Sequence, residues 1–239
     1  MQNPLFIALD FNNRATRRNF LAHFSDEKLD VKVGMELFYR EGLNVITELK
    51  EAGHHLFLDL KLHDIPNTVG RTMKVLAEME VDMVNVHAAG GQKMMEAALE
   101  GLESGTRPGK DRPKLIAVTQ LTSTDEAMLR KQLLIDKPLD EVVVNYSLQA
   151  QTAGLDGVVC SAHEVPRIQK ECGGEFLTVT PGIRRLTDDA GDQARIVSPA
   201  RARELGSWGI VVGRSLTTAA EPLDVYSEMM NDWKGVLSQ

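Results

Sequence analysis

Cysteine is scarce: Cys160 and Cys172 are the two among 239 residues, twelve positions apart, with no CxxC and no Cys/His spacing. A disulfide framework and a structural zinc site are therefore poorly supported, and a reducing, cytoplasmic compartment is the simplest expectation. Long apolar runs are also missing. No stretch approaches the roughly 18 residues of a membrane span, and Met1-Gln2-Asn3-Pro4 carries no basic n-region, so neither an exported nor an embedded protein is expected. Positive charge is in deficit: 27 basic against 34 acidic residues leave −7, with no overall attraction for nucleic acid or anionic lipid. An anionic ligand has to be captured locally. Linkers, low-complexity tracts and composition breaks are absent too, which favours one domain over residues 1–239.

What the chain does have is repetition. Eight apolar, β-branched-rich runs recur: Leu5 to Asp10, Val31 to Met35, Leu56 to Leu62, Met83 to Ala88, Leu115 to Leu121, Gly157 to Cys160, Phe176 to Pro181 and Gly209 to Gly213. Segments of helical period separate them. Val69, Met73 and Leu76 make one apolar stripe, and Met95, Ala98, Leu99 and Leu102 another. Ser198-Pro199 reads as a helix start and Gly206 as its stop. The 239 residues divided by eight give about 30, the size of one strand-plus-helix unit. The expected fold is α/β, a single (β/α)8 TIM barrel.

Alternation within the strands separates two faces, because successive side chains point to opposite sides. Leu5, Ile7 and Leu9 oppose Phe6, Ala8 and Asp10; Val31 and Val33 oppose Lys32; Leu56, Leu58, Leu60 and Leu62 oppose Phe57, Asp59 and Lys61. Val84 and Val86 oppose Asn85 and His87, and Leu177 and Val179 oppose Thr178 and Thr180. With the aliphatic members under the helices, the others face the barrel interior. Asp10, Lys32, Asp59 and Lys61 are then expected to meet at its C-terminal mouth, where such barrels carry their sites. A structural ion-pair network is the bland alternative, but apolar residues often serve stability as well as buried pairs do.

The segment from Asp59 to Thr68, DLKLHDIPNT, puts Asp59 and Lys61 on one face, with Pro66 as a strand stop and Asp64 on the connection. Carboxylates beside His63 suggest a metal, yet the Lys61 ammonium on the same face as Asp59 repels a cation. A fixed ammonium beside a carboxylate suits a reaction that generates a carbanion and protonates it. After the last two strands come Thr180-Pro181-Gly182-Ile183-Arg184 and Val211-Val212-Gly213-Arg214-Ser215, where these barrels commonly hold phosphate. The polar stretch from Arg185 to Arg195 is long enough to form a lid. His87 is expected as a hydrogen-bonded supporting group, His23, His54 and His55 at the surface or edge, and Cys160 as a small core residue; Ser161 and Ser215 lack a triad.

Taken in order, Ala8-Leu9-Asp10, Val31-Lys32-Val33-Gly34, the Asp59 to Thr68 segment, Val118 to Ser123, Pro181 to Arg184 and Val212 to Ser215 closely resemble the bacterial orotidine 5′-phosphate decarboxylase family over essentially the whole chain. The resemblance implies decarboxylation of orotidine 5′-phosphate to uridine 5′-phosphate in pyrimidine synthesis, without metal or organic cofactor. It implies that Lys61 donates a proton to C6 and that Asp59 lies beside the departing carboxylate. Asp10 and Lys32 fall near the ribose, with Lys32 completing the charge array. Thr122 falls at the pyrimidine edge, and Gln193, Arg184, Arg214 and Gly213 at the phosphate. Asp64, Ile65 and Thr68 are implied to reach into a partner subunit's site, hence a homodimer. A metal-dependent sugar-phosphate barrel enzyme is the nearest rival, disfavoured by Lys32. A non-catalytic nucleotide-binding barrel is the rival from another class.

Overall fold

The computed structural model describes residues 3–24, 27–185, 188 and 196–236. Eight parallel strands close into a barrel in sequence order: β1 (Leu5–Ala8), β2 (Asp30–Gly34), β3 (His55–Leu62), β4 (Met83–His87), β5 (Lys114–Val118), β6 (Gly157–Val159), β7 (Leu177–Ile183) and β8 (Gly209–Val212), with β8 pairing back onto β1. All eight expected runs are strands. Their ends differ by up to three residues, most at the fifth, which stops at Val118 rather than Leu121, and Pro181 lies inside β7 rather than ending it. Likewise Pro66 does not end β3; it opens the helix Pro66–Glu78 at the first-turn position, where its missing N–H costs nothing. Ser198 caps the helix Pro199–Glu204 as expected, accepting from the Arg201 amide. No helix among the described residues is long and apolar enough to cross a membrane.

The alternation expected for β1 to β4 is realised. Leu5, Ile7, Val31, Val33, Leu56, Leu58, Val84 and Val86 belong to the large cluster beneath the helices. Phe6, Ala8, Phe57, Met83, Ile116, Val179 and Val211 form a separate cluster that plugs the barrel, with the Phe6 and Phe57 rings 5.4 Å apart. Strand β7 reverses the expected faces. Val179 joins the interior plug, while Thr178 and Thr180 are fully buried on the opposite side. Their hydroxyls find partners in the approach to β8: Thr180 Oγ1 lies 3.1 Å from Ser207 Oγ, and the Trp208 amide donates to Thr178 Oγ1 at 3.3 Å. A satisfied threonine is close to neutral in a packed layer, so its polarity does not choose the face. His54 is a second correction. It is buried, its Nδ1 accepting from the Leu29 amide at 3.2 Å, whereas His23 and His55 are exposed.

Two covering helices, Pro66–Glu78 and Gln92–Gly105, approach unusually closely. The stripe Val69, Met73 and Leu76 is buried, as are Met95, Ala98 and Leu102. The contact depends on glycine: a Cβ at Gly101 would sit 2.1 Å from the Gly70 carbonyl oxygen. Gly101→Ala must therefore part the helices, and it is expected to cost about 1–3 kcal/mol. The result is a lower urea midpoint at unchanged m-value; an unchanged midpoint refutes the close-packing account.

Candidate active site

The plug of the barrel is apolar and the layer above it is charged. Two positions along β3 separate Phe57 in the plug from Asp59 in that layer, and Gly34 at the end of β2 pairs in register with Asp59. Gly34 makes room there, because a Cβ would meet the Asp10 carboxylate at 3.2 Å and the Lys32 ammonium at 3.3 Å. Asp59 is the hub. Its Oδ1 accepts from Lys61 Nζ at 2.6 Å and from Asn85 Nδ2 at 2.7 Å, and its Oδ2 lies 3.2 Å from Lys32 Nζ. Lys32 Nζ also stands 3.5 Å from Asp10 Oδ1, at the rim. The four charges expected at one mouth are thus contiguous, in the order Asp10, Lys32, Asp59, Lys61. Burial by itself raises the Asp59 carboxyl, but Lys32, Lys61 and the Asn85 amide outweigh it and hold the group below the usual carboxylate range. Asp59 is therefore an anion throughout the physiological range.

Lys61 reaches Asp59 by an irregular route. Its φ is +53°, in the left-handed region, and the β3 to β4 register shifts between Leu58 and Leu62. A side chain in that region costs roughly 1–2 kcal/mol. The Lys61 amide donates to Asn85 Oδ1 at 2.7 Å, so the irregular backbone is held by the same side chain that holds Asp59. His87 sits on β4 beyond Asn85, accepting from the Ala89 amide at 3.2 Å and stacking on His63 with ring centroids 5.5 Å apart. Burial, then the electrostatic influence of the neighbouring His63 and Lys61, pushes its imidazole below the usual histidine range, so at neutral pH it is an uncharged neighbour.

These groups face a cavity of about 550 Å³ at the C-terminal mouth. Asp10, Lys32, Asp59 and Lys61 line one side. Thr122 lines it from the segment after β5, and Arg184, Gly213 and Arg214 from the ends of β7 and β8. Arg184 is buried and its Nη1 lies 3.4 Å from Ser215 Oγ, which ties the two loops together. A short helix, Arg214–Thr217, begins at Gly213, adding backbone N–H groups to two guanidinium groups where a chain of net −7 needs local capture of an anion. The segment after Arg184 returns to the same rim, since the Arg184 amide donates to the Val197 carbonyl at 3.0 Å and the Val197 amide to Gly182 at 3.2 Å. Gln193 and most of the expected lid lie outside the described residues. Asp64, Ile65 and Thr68 do not line this cavity and are exposed on the connection and first turn after β3; Asp64 Oδ1 accepts from the Ile65 amide at 2.6 Å. Among the described residues no three His, Cys, Asp or Glu side chains are grouped to hold a metal ion.

A family model, Orotidine 5′-phosphate decarboxylase / HUMPS family, matches residues 3–229. The chain belongs to this family. It is 70% identical over 235 residues to an orotidine 5′-phosphate decarboxylase of Shouchella clausii (strain KSM-K16), covering 98% of both chains. It is 58% identical over 236 residues to the one from Bacillus cereus (strain 03BB102), covering 99% of each. Among solved structures, the orotidine 5′-phosphate decarboxylase of Lactobacillus acidophilus superimposes with a TM-score of 0.85 at 40% identity, over 97% of this chain and 99% of that one. A crystal structure of an uncharacterized conserved protein from Geobacillus kaustophilus gives 0.87 at 53% identity, over 96% and 100%. The cavity also holds residues to which the sequence alone assigned no individual role. Gln120 is buried against the cavity and Ser123 follows Thr122 along its edge. Asn85 is the more consequential addition. Its polarity between Val84 and Val86 placed it on the inward face, but its two hydrogen-bond partners lie on another strand and were not legible.

Proposed function

We propose that this chain decarboxylates orotidine 5′-phosphate to uridine 5′-phosphate, with Lys61 as the proton donor. The observation that carries the reading is the Asp59 carboxylate clamped between Lys61 and Lys32 at the floor of a cavity whose far rim carries Arg184 and Arg214. The bond between C6 and the substrate carboxylate breaks, its electron pair stays on C6, and carbon dioxide leaves. The ring offers no adjacent electron sink, so preorganised charge has to stabilise the developing carbanion. Lys61 Nζ supplies the nearest positive charge and then transfers a proton to C6; the resulting amine regains a proton from solvent. Asp59 lies beside the departing carboxylate and keeps Lys61 in place. Asp10 and Lys32 address the ribose hydroxyls, Thr122 the pyrimidine edge, and Arg184, Arg214, Gly213 and Gln193 the phosphate. That remote grip supplies binding energy used at the reacting carbon.

No metal enters this chemistry, because two ammonium groups beside Asp59 disfavour a cation, and no organic cofactor is called for where Lys61 itself supplies the stabilising charge and the proton. A homodimer completes the site through Asp64, Ile65 and Thr68, which are exposed in the single chain. A cytoplasmic location follows for an enzyme of nucleotide supply. The test is the fall in orotidine 5′-phosphate absorbance after exhaustive chelation. Undiminished turnover is expected, and a strict magnesium requirement would instead favour the sugar-phosphate rival.

A further inference from the structure

We propose that Asn85 is a positioning residue for the decarboxylation, holding the proton donor and its carboxylate partner in one fixed arrangement. The inference rests on the reading of Lys61 and Asp59 above and adds a residue that none of the sequence motifs contains. Asn85 is 1% exposed and projects from β4 into the barrel. Its two amide atoms act on different things. Nδ2 donates to Asp59 Oδ1 at 2.7 Å, and Oδ1 accepts the Lys61 backbone N–H at 2.7 Å.

The second bond matters because of where Lys61 sits. At φ +53° the residue occupies a region that a β-strand does not favour, and the regular β3 to β4 register is interrupted there. A strained conformation persists only when its surroundings over-determine it. The interruption leaves the Lys61 amide without its place in the ladder, and Asn85 Oδ1 takes that place. Without it the backbone at Lys61 can relax out of its left-handed conformation, which keeps the side chain on the same face but shifts Nζ out of its present 2.6 Å contact with Asp59. The first bond fixes the other partner. Asp59 Oδ1 receives Lys61 Nζ and Asn85 Nδ2 together, so the carboxylate cannot rotate without losing one of them. One buried amide therefore sets both ends of the Lys61–Asp59 contact.

The charged groups facing Asp59 are Lys61 from its own strand and Lys32 from β2, with Asp10 beyond Lys32. Asn85 is the uncharged member of the set. It thus provides a donor to the carboxylate without adding a competing charge. Asn85→Leu removes both hydrogen bonds while keeping the same branched side-chain skeleton. Asn85→Asp keeps an acceptor for the Lys61 amide but sets a second carboxylate against Asp59.

Asn85→Leu is expected to lower kcat by roughly 100-fold, the scale of an ångström-size misplacement, while KM and uridine 5′-phosphate affinity stay within about threefold. Asn85→Asp is expected to move the acid limb of the kcat profile upward by about one pH unit or more, because two adjacent carboxylates do not both ionise readily. A residue that only filled space would lower thermal stability without moving that limb. Should Asn85→Leu not fold, the nearly isosteric Asn85→Asp still decides. Wild-type kcat in both variants, or an unmoved acid limb in Asn85→Asp, overturns the inference and leaves the decarboxylase reading intact. An inert wild-type enzyme overturns that reading instead. The inference then stands or falls on a crystal structure of either variant: Lys61 displaced from Asp59 supports it, and Lys61 unmoved in φ and in its contact overturns it.

Discussion

Lys61→Ala is expected to lower kcat on orotidine 5′-phosphate by about 10⁴-fold or more while the protein stays folded and binds uridine 5′-phosphate. Two effects combine in the size of that loss. A general acid contributes typically 10²–10⁴-fold, and a preorganised charge at the site of developing negative charge a further 10²–10³-fold. The variant removes both, since the same ammonium stabilises the carbanion and protonates it. Folding should survive. Asp59 keeps Lys32 at 3.2 Å and Asn85 at 2.7 Å, so no buried carboxylate is stranded. The left-handed backbone keeps a Cβ at position 61, leaving its steric cost unchanged. Binding should survive because Arg184, Gly213 and Arg214 lie across the cavity from the substitution. Rates follow from absorbance and affinity from calorimetry. A loss smaller than about tenfold removes Lys61 from the role of proton donor.

Mixing Lys61→Ala with Asp64→Ala, each nearly inactive alone, is expected to restore up to about a quarter of wild-type activity. Random exchange makes half of the dimers mixed. In each mixed dimer one site carries both defects, while the other combines an intact Lys61 with the partner's intact Asp64. The expectation comes from where the structure leaves this segment. Asp64 is exposed and does not line the cavity of its own chain, and Ile65, an aliphatic side chain at the entry to the helix Pro66–Glu78, is 66% exposed. In the proposed homodimer this segment would complete the partner's site, and the mixture tests that proposal. Subunit exchange is verified with differently tagged proteins. Exchange without recovered activity refutes the shared site.

The relation between sequence and structure differs from strand to strand. In β1 to β4 the alternation is written in strong contrasts, Leu against Asp or Val against Lys, and each face went where transfer free energy sends it. In β7 the contrast is Val against Thr, and the structure reversed it. Thr178 and Thr180 satisfy their hydroxyls against Ser207, Gly209 and Trp208, partners 27 to 30 residues away that no local pattern announces. His54 was misplaced for a similar reason: its acceptor role toward Leu29 spans 25 residues.

The same division runs through the site. Asp59 and Lys61 were legible because charge is costly inside a barrel and two charges on one strand face demand a shared purpose. The loops after β7 and β8 were legible from glycine and arginine falling at counted positions. Asn85 was placed on the right face without a partner, since an amide can serve a core as well as a site. The left-handed Lys61 was not legible at all. A regular β3 would already have put Asp59 and Lys61 on one side, so the sequence contained no sign that the strand breaks its ladder to bring them together.

By itself the sequence determined the barrel, its eight strands, and the end at which charge would collect, because periodicity and the cost of burying charge are local quantities summed along the chain. Tertiary structure decided which atoms meet. Asp59 became the hub, and Asn85 the brace for a strained Lys61, because hydrogen bonds between β3 and β4 depend on register and distance. No single strand contains that information.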